Sequence, residues 1–129
     1  MRGGQSLAEA LESYLAEWSE RTGIAVETWA LPSTDVPSSV SSGVMATMRE
    51  ALSNVELHSR ARTVSIAVTA GKSGLRMTIS DNGQGFLLGA NGRGIARMRA
   101  AFAEIGGSLS VNSVLGEGTT VTGVVPRHR

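Results

Sequence analysis

Residues 75–86 constrain the fold more than any other stretch of the chain. Leu75, Met77 and Ile79 alternate with Arg76, Thr78 and Ser80, a period of two that reads as a strand with one buried face. The run closes on Asp81 and Asn82-Gly83-Gln84-Gly85-Phe86 follows at once, so a carboxylate stands at the strand's end, at the mouth of a core. Gly83 and Gly85 carry no Cβ and let the backbone come close to a ligand, as a phosphate- or base-binding loop requires. Asp-Asn-Gly is also an ordinary turn, and local chemistry leaves both readings open.

The flanking sequence supplies the other elements. Leu7, Leu11, Tyr14, Leu15 and Trp18 recur at helical spacing and Arg21-Thr22-Gly23 supplies a stop, which predicts an amphipathic first helix. Ile24 to Ala30 reads as a strand whose alternation breaks at Trp29, and Leu31 to Ser39 holds two of the three prolines and reads as a loop. A second helix is predicted from Ser38 or Ser39 to about His58, with Val40, Met45, Met48, Leu52 and Val55 as its apolar stripe. Glu50 and Asn54, at i and i+4, share a face on the other side. That face fits a solvated surface, and it equally fits chemistry: the Asn carbonyl oxygen is a hard ligand for Mg²⁺, and a Glu one turn earlier can polarise an attacking group.

Val64, Ile66 and Val68 alternate ahead of the Ala70–Gly74 turn, so residues 64–79 form a hairpin. Small and apolar residues from Leu87 to Gly92 read as a flap. It leads into a third helix with Ile95, Met98, Phe102 and Ile105 on its buried stripe and Gly106-Gly107 at its end. The free N–H groups at that helix start suit phosphate oxygens, with Arg93 and Arg97 close by in sequence. A last hairpin joins Ser108–Asn112 to Thr119–Val125 through Gly116-Glu117-Gly118, and Pro126 stops it. This order predicts an α+β fold, a two-layer sandwich with a mixed five-stranded sheet covered on one face by three helices. Residues 7–126 form one domain, with 1–6 a linker or expression remnant and 127–129 a tail.

Several classes are excluded or unsupported. A net charge of +1 with 18% charged residues gives no polyanion-binding surface, so direct nucleic-acid binding has no support. With no cysteine and two histidines, a zinc site or disulfide framework is not expected. No apolar run is long enough to span a bilayer and no signal pattern opens the chain, which reads as a cytoplasmic domain without membrane contact of its own. Gly71-Lys72-Ser73 is no P-loop, because Ile66 stands where the motif needs glycine and a strand follows. Gly83-Gln84-Gly85 is no dinucleotide fingerprint, because Leu88 occupies the third glycine position.

Taken together, four segments resemble the motifs of the GHKL ATPase superfamily, which includes gyrase and histidine-kinase ATPase domains. Arg49-Glu50-Ala51-Leu52-Ser53-Asn54-Val55 resembles its N box. Asp81-Asn82-Gly83-Gln84-Gly85-Phe86 and Gly92-Arg93-Gly94-Ile95 resemble its two glycine boxes. Gly116-Glu117-Gly118-Thr119-Thr120-Val121 resembles its closing motif. The first helix and Thr22-Gly23-Ile24-Ala25-Val26 look like the entrance to such domains in sensor kinases that partner NarL-class response regulators.

The resemblance implies the Bergerat-type ATP-binding fold, ATP and Mg²⁺ as cofactors, and a role for each matched residue. Asp81 would accept from the adenine amine with Thr119 in support. Asn54 would coordinate Mg²⁺ and Glu50 would act as general base or polarising group. Gly83, Gly85, Gly92, Arg93, Gly94 and Ile95 would hold the nucleotide, under a short lid between Gly85 and Gly92. It implies the catalytic domain of a two-component histidine kinase. The phosphoacceptor histidine would lie on a separate dimerisation domain of the same kinase, and a NarL-class response regulator would receive the phosphoryl group. His58 lies in the N box and is not that acceptor. A stand-alone switch of the same superfamily, such as an anti-sigma-factor serine kinase, is the alternative. One departure stands out: many relatives have Lys or Arg directly before the histidine that ends the N box, where this chain has Leu57 preceded by Glu56, with Arg60, Arg62 and Arg93 as possible replacements.

Overall fold

The computed structural model describes residues 6–59, 61–83 and 92–126. Helix α1 spans Leu7–Thr22 and begins in a reciprocal cap: the Glu9 N–H donates to Ser6 Oγ at 3.1 Å, and the Ser6 N–H donates to Glu9 Oε1 at 2.9 Å. Two donors that a helix start leaves orphaned are thereby satisfied. The helix stops at Gly23, whose φ of +79° only glycine adopts without strain and whose N–H reaches the Ser19 carbonyl. Leu7, Leu11, Leu15 and Trp18 form its buried stripe.

Strand β1, Ala25–Ala30, has a register shift between Thr28 and Ala30, where the broken alternation fell, and Trp29 there is 73% exposed. Helix α2, Ser38–Asn54, continues as a π-helical turn over Val55–Ser59. The predicted stripe needs one correction: Val44 is the fully buried residue of the second turn, and Val40 and Met45 flank the core as half-buried residues. The π turn widens the helix at its end, a feature frequent at functional sites, and no sequence signal marks it.

Strands β2 (Thr63–Gly71) and β3 (Gly74–Asp81) form the predicted hairpin. Helix α3 spans Gly92–Glu104, and β4 (Ser108–Val114) and β5 (Gly118–Pro126) form the last hairpin. The sheet order is β1-β2-β3-β5-β4; β1 runs parallel to β2 and every other pair is antiparallel, so the sheet is mixed as expected. On one face Val64, Ile66, Val68, Leu75, Met77, Ile79, Val121 and Val125 join the buried side chains of all three helices in a single core. On the other face stand Arg76, Thr78, Ser80, Thr120 and Thr122, all at least partly exposed, with Ser80 and Thr120 hydroxyls 3.1 Å apart. This is the half-solvated pattern open to a largely antiparallel sheet.

Helix α3 ends at Glu104, where its apolar pattern and Gly106-Gly107 set the stop. The Gly107 N–H bonds the Phe102 carbonyl at 2.7 Å and the Gly106 N–H bonds that of Ala103, closing the helix ahead of Ile105, which is half-buried. Phe102, fully buried, lies over Gly123 of β5, where a Cβ would strike its ring. Glycine at 123 thus lets the helix settle close against the sheet.

Candidate nucleotide site

The end of β3 is built from backbone. Asp81 pairs with Val64 of β2 on one side and Thr119 of β5 on the other, so the strand's last residue is fixed from both flanks. Its side chain faces the core layer and is 9% exposed. Asp81 Oδ1 accepts the Gly83 N–H at 2.8 Å, the compact turn that the Asp-Asn-Gly sequence favours. Burial pushes the Asp81 carboxyl above its ordinary value, and backbone hydrogen bonding from Gly83 and Thr119 offsets this only in part. A desolvated acceptor with unspent capacity binds a donor well and tolerates an opposing acceptor poorly.

Two neighbours hold this turn in place. The Asn82 side chain, to which the sequence had assigned no task, accepts the Arg62 and Thr63 N–H groups at 3.2 and 3.3 Å and ties the exit of β3 to the start of β2. Gly118 opens β5 with φ +114°, and a Cβ there would fall on the Asp81 carbonyl oxygen. Both conformation and space therefore demand glycine at 118. Thr119, beside it, is 8% exposed and its Oγ1 lies 2.8 Å from Ser113 Oγ of β4. Ser113 carried no sequence signal, since a serine in an alternating strand is ordinary.

The second half of the site lies between α2 and α3. Glu50 and Asn54 are half-buried, and they turn toward α3 where the helical wheel had them facing away from the core. A Cβ at Gly94 would come within 3.1 Å of both Asn54 Nδ2 and Glu50 Oε2. The two polar ends thus converge on the first turn of α3, in a space that the missing side chain leaves open. Arg97, one turn on, approaches Glu50 Oε1 at 3.5 Å. Ile95 is buried and anchors the start of α3 in the core.

Gly85 and the expected lid, together with Arg60, lie outside the described residues, and nothing is described of the Arg93 or His58 side chains. Gly92 and Arg93 open α3. Leu57 is 68% exposed, and Glu56 beside it takes a two-pronged hydrogen bond from Arg21 of α1 at 2.8 and 3.2 Å. That contact holds the Glu56 carboxyl below its usual value. Among the described residues no group of three or more His, Cys, Asp or Glu is placed to hold a metal. A groove of about 390 Å³, lined mainly by apolar residues such as Val36, Pro37, Val40, Leu75 and Val125 together with Thr34 and Asp35, lies at the opposite end of β3 from Asp81.

The chain is similar to known proteins over most of its length. Residues 39–129 match the family described as histidine kinase-, DNA gyrase B-, and HSP90-like ATPase. The chain is 35% identical over 126 residues to the sensor histidine kinase LiaS of Bacillus subtilis, covering 95% of this chain and 35% of that protein. It is 32% identical to the nitrate/nitrite sensor protein NarX of Escherichia coli over 89% of this chain and 20% of NarX. The chain thus spans about a third or less of the length of these relatives. In fold it resembles the ATP binding domain of PrrB from Mycobacterium tuberculosis, with TM-score 0.73, 17% identity, and 97% and 96% of the two chains covered. It also resembles the blue-light activated histidine kinase of Erythrobacter litoralis, with TM-score 0.76 and 22% identity over 94% of this chain and 42% of that one. With its four motifs in order and the sheet and helices that carry them in place, the chain belongs to the histidine kinase-, DNA gyrase B-, and HSP90-like ATPase family.

Proposed function

We propose that this chain is the ATP-binding catalytic domain of a two-component sensor histidine kinase. In the complete kinase it presents the γ-phosphoryl group to a histidine on a separate dimerisation domain, and a response regulator of the NarL class then receives it. The observation that carries this reading is the convergence of Glu50 and Asn54 on Gly94. It brings the N box against the second glycine box, as catalysis on a phosphate held at a helix start requires. The likeness to LiaS and NarX supports the kinase assignment within the family.

Each residue then has a task. The buried Asp81 carboxylate accepts from the adenine amine, and a guanine carbonyl at that point would meet it unfavourably. Gly83 brings the backbone close to the nucleotide, and Gly85 is assigned the same task from its place in the first glycine box. Gly92, Arg93, Gly94 and Ile95 offer the N-terminal turn of α3 to the phosphates, the N–H groups and helix dipole favouring anions. The Asn54 carboxamide oxygen is a hard donor in the space left by Gly94, and it would hold Mg²⁺, whose remaining positions suit phosphate oxygens and water. When bound, that ion neutralises charge on the phosphates. Glu50 takes or orients the proton of the attacking imidazole, and Arg97 holds its carboxylate in the free protein. ATP supply puts the domain in the cytoplasm; among the described residues, no helix is long and apolar enough to cross a membrane.

The test is reconstitution. The chain is mixed with the dimerisation domain of its own kinase and radiolabelled Mg-ATP, and acid-labile, base-stable phosphohistidine is measured. Label is expected on the dimerisation domain with wild type and at background with Glu50→Gln. No phosphohistidine with a correctly folded dimerisation domain would overturn the kinase reading.

A further inference from the structure

Asp81, Thr119 and Ser113 stand in one row across three neighbouring strands, Asp81 of β3 opposite Thr119 of β5 and Thr119 opposite Ser113 of β4. Asp81 and Thr119 are buried and Ser113 is half-buried. Ser113 Oγ lies 2.8 Å from Thr119 Oγ1 and 3.4 Å from the Gly118 carbonyl oxygen. The first distance is at the optimum for paired hydroxyls, and the second is beyond the good range. Each hydroxyl has one hydrogen to give, so the pair has two polarities. In one, Thr119 donates to Ser113. In the other, Ser113 donates to Thr119 and the Thr119 hydrogen is free for a third group.

A bound adenine decides between them. The exposed edge of adenine carries a donor at the exocyclic amine and an acceptor at N1, side by side. Asp81 is an acceptor only, and its partner must therefore be a donor. Hypoxanthine reverses both groups, with a carbonyl in place of the amine and a hydrogen on N1. We infer that Ser113 is a positioning residue for base selection: by donating to Thr119 Oγ1 it directs the Thr119 hydrogen to the base, so that Asp81 and Thr119 together read an amine beside a ring nitrogen. This rests on the reading of the site as an adenine pocket.

The experiment is titration of the 129-residue chain with non-hydrolysable adenosine and inosine triphosphate analogues, and the readout is the ratio of the two affinities. Ser113→Ala lowers the preference for adenine about tenfold, the usual scale of one hydrogen bond in a desolvated site. Ser113→Cys keeps the packing but donates weakly and shifts the ratio the same way; Ser113→Thr restores it. In a Thr119→Val background the Ser113→Ala change has no further effect, because the two hydroxyls act as one unit. A preference unchanged in both the Ala and Cys variants, or independent effects of the changes at 113 and 119, overturns the inference. Asp81→Asn separates this from failure of the underlying reading. If Asp81→Asn binds adenosine triphosphate like wild type, the adenine pocket and the inference fall together. If it loses binding while the Ser113 variants keep wild-type selectivity, the inference alone falls.

Discussion

Asp81 and Glu50 are both carboxylates of the candidate site, and the fold holds them by different means. Asp81 ends a strand paired on both sides, and its carboxylate receives a backbone N–H at 2.8 Å. Glu50 projects from a helix toward α3, and the partner that meets it is the side chain of Arg97, itself 64% exposed, at 3.5 Å. The first arrangement is rigid before any ligand arrives, which suits discrimination between bases. The second is adjustable, since an exposed ion pair is weak and readily exchanged, and it suits a group that must move a proton at the right moment. In the proposed reading, recognition rests on the sheet and chemistry on the cleft between two helices.

Four substitutions break or sharpen that contrast, in falling order of expected effect. Gly118→Ala attacks the rigid end: a methyl group meets the Asp81 carbonyl and the backbone conformation becomes strained. Urea denaturation should show a loss of about 3 kcal/mol or more. Asp81→Asn keeps an oxygen for the Gly83 N–H but removes the charge, and adenine nucleotide affinity should fall about 100-fold in calorimetry.

The same variant tests the electrostatics. Burial raises the Asp81 carboxyl in the fold, so the folded chain holds its proton more tightly than the unfolded chain does. Stability should therefore fall as pH rises from the ordinary carboxylate value through the raised one. Asp81→Asn should lose this dependence and melt above wild type at neutral pH. A variant that binds worse yet melts higher would identify Asp81 as a residue whose stability cost serves binding.

Gly94→Ala acts at the adjustable end. Its methyl would press on the tips of Asn54 and Glu50 at 3.1 Å, both of which can shift. Stability should change by less than about 1 kcal/mol, alanine being the better helix former, while phosphotransfer drops about 10- to 100-fold from misplaced catalytic groups. Arg97→Ala should have the smallest effect on the fold, within about 0.5 kcal/mol. Its readout is the rate of phosphotransfer, which should change far less than it does in Glu50→Gln.

The order of the eight α-helices and strands among the described residues was legible because each strand and helix declares its period, and because glycines at 23, 106, 107, 116 and 118 punctuate them. The rest depended on geometry that one-dimensional pattern does not hold. Glu50 and Asn54 sit opposite the apolar stripe on a helical wheel, yet the packing of α3 on α2 covers that side. Val44 displaced Met45 from the innermost position because a wheel tolerates a shift of one residue and a packed core does not. The π turn, the Asn82 bridge to β2 and the Ser113–Thr119 pair are contacts between residues distant or unremarkable in sequence. The candidate site residues came from spacing and resemblance; the contacts around them came only from three dimensions.

The most direct test of adenine nucleotide binding is calorimetric titration of this chain with a non-hydrolysable ATP analogue and Mg²⁺, beside the GTP analogue and the Asp81→Asn variant. Saturable binding of the adenine nucleotide, weak or absent binding of the guanine nucleotide, and loss of both in Asp81→Asn is the predicted result. Equal binding of the two nucleotides, or no binding by the folded chain at millimolar adenine nucleotide, would contradict the account.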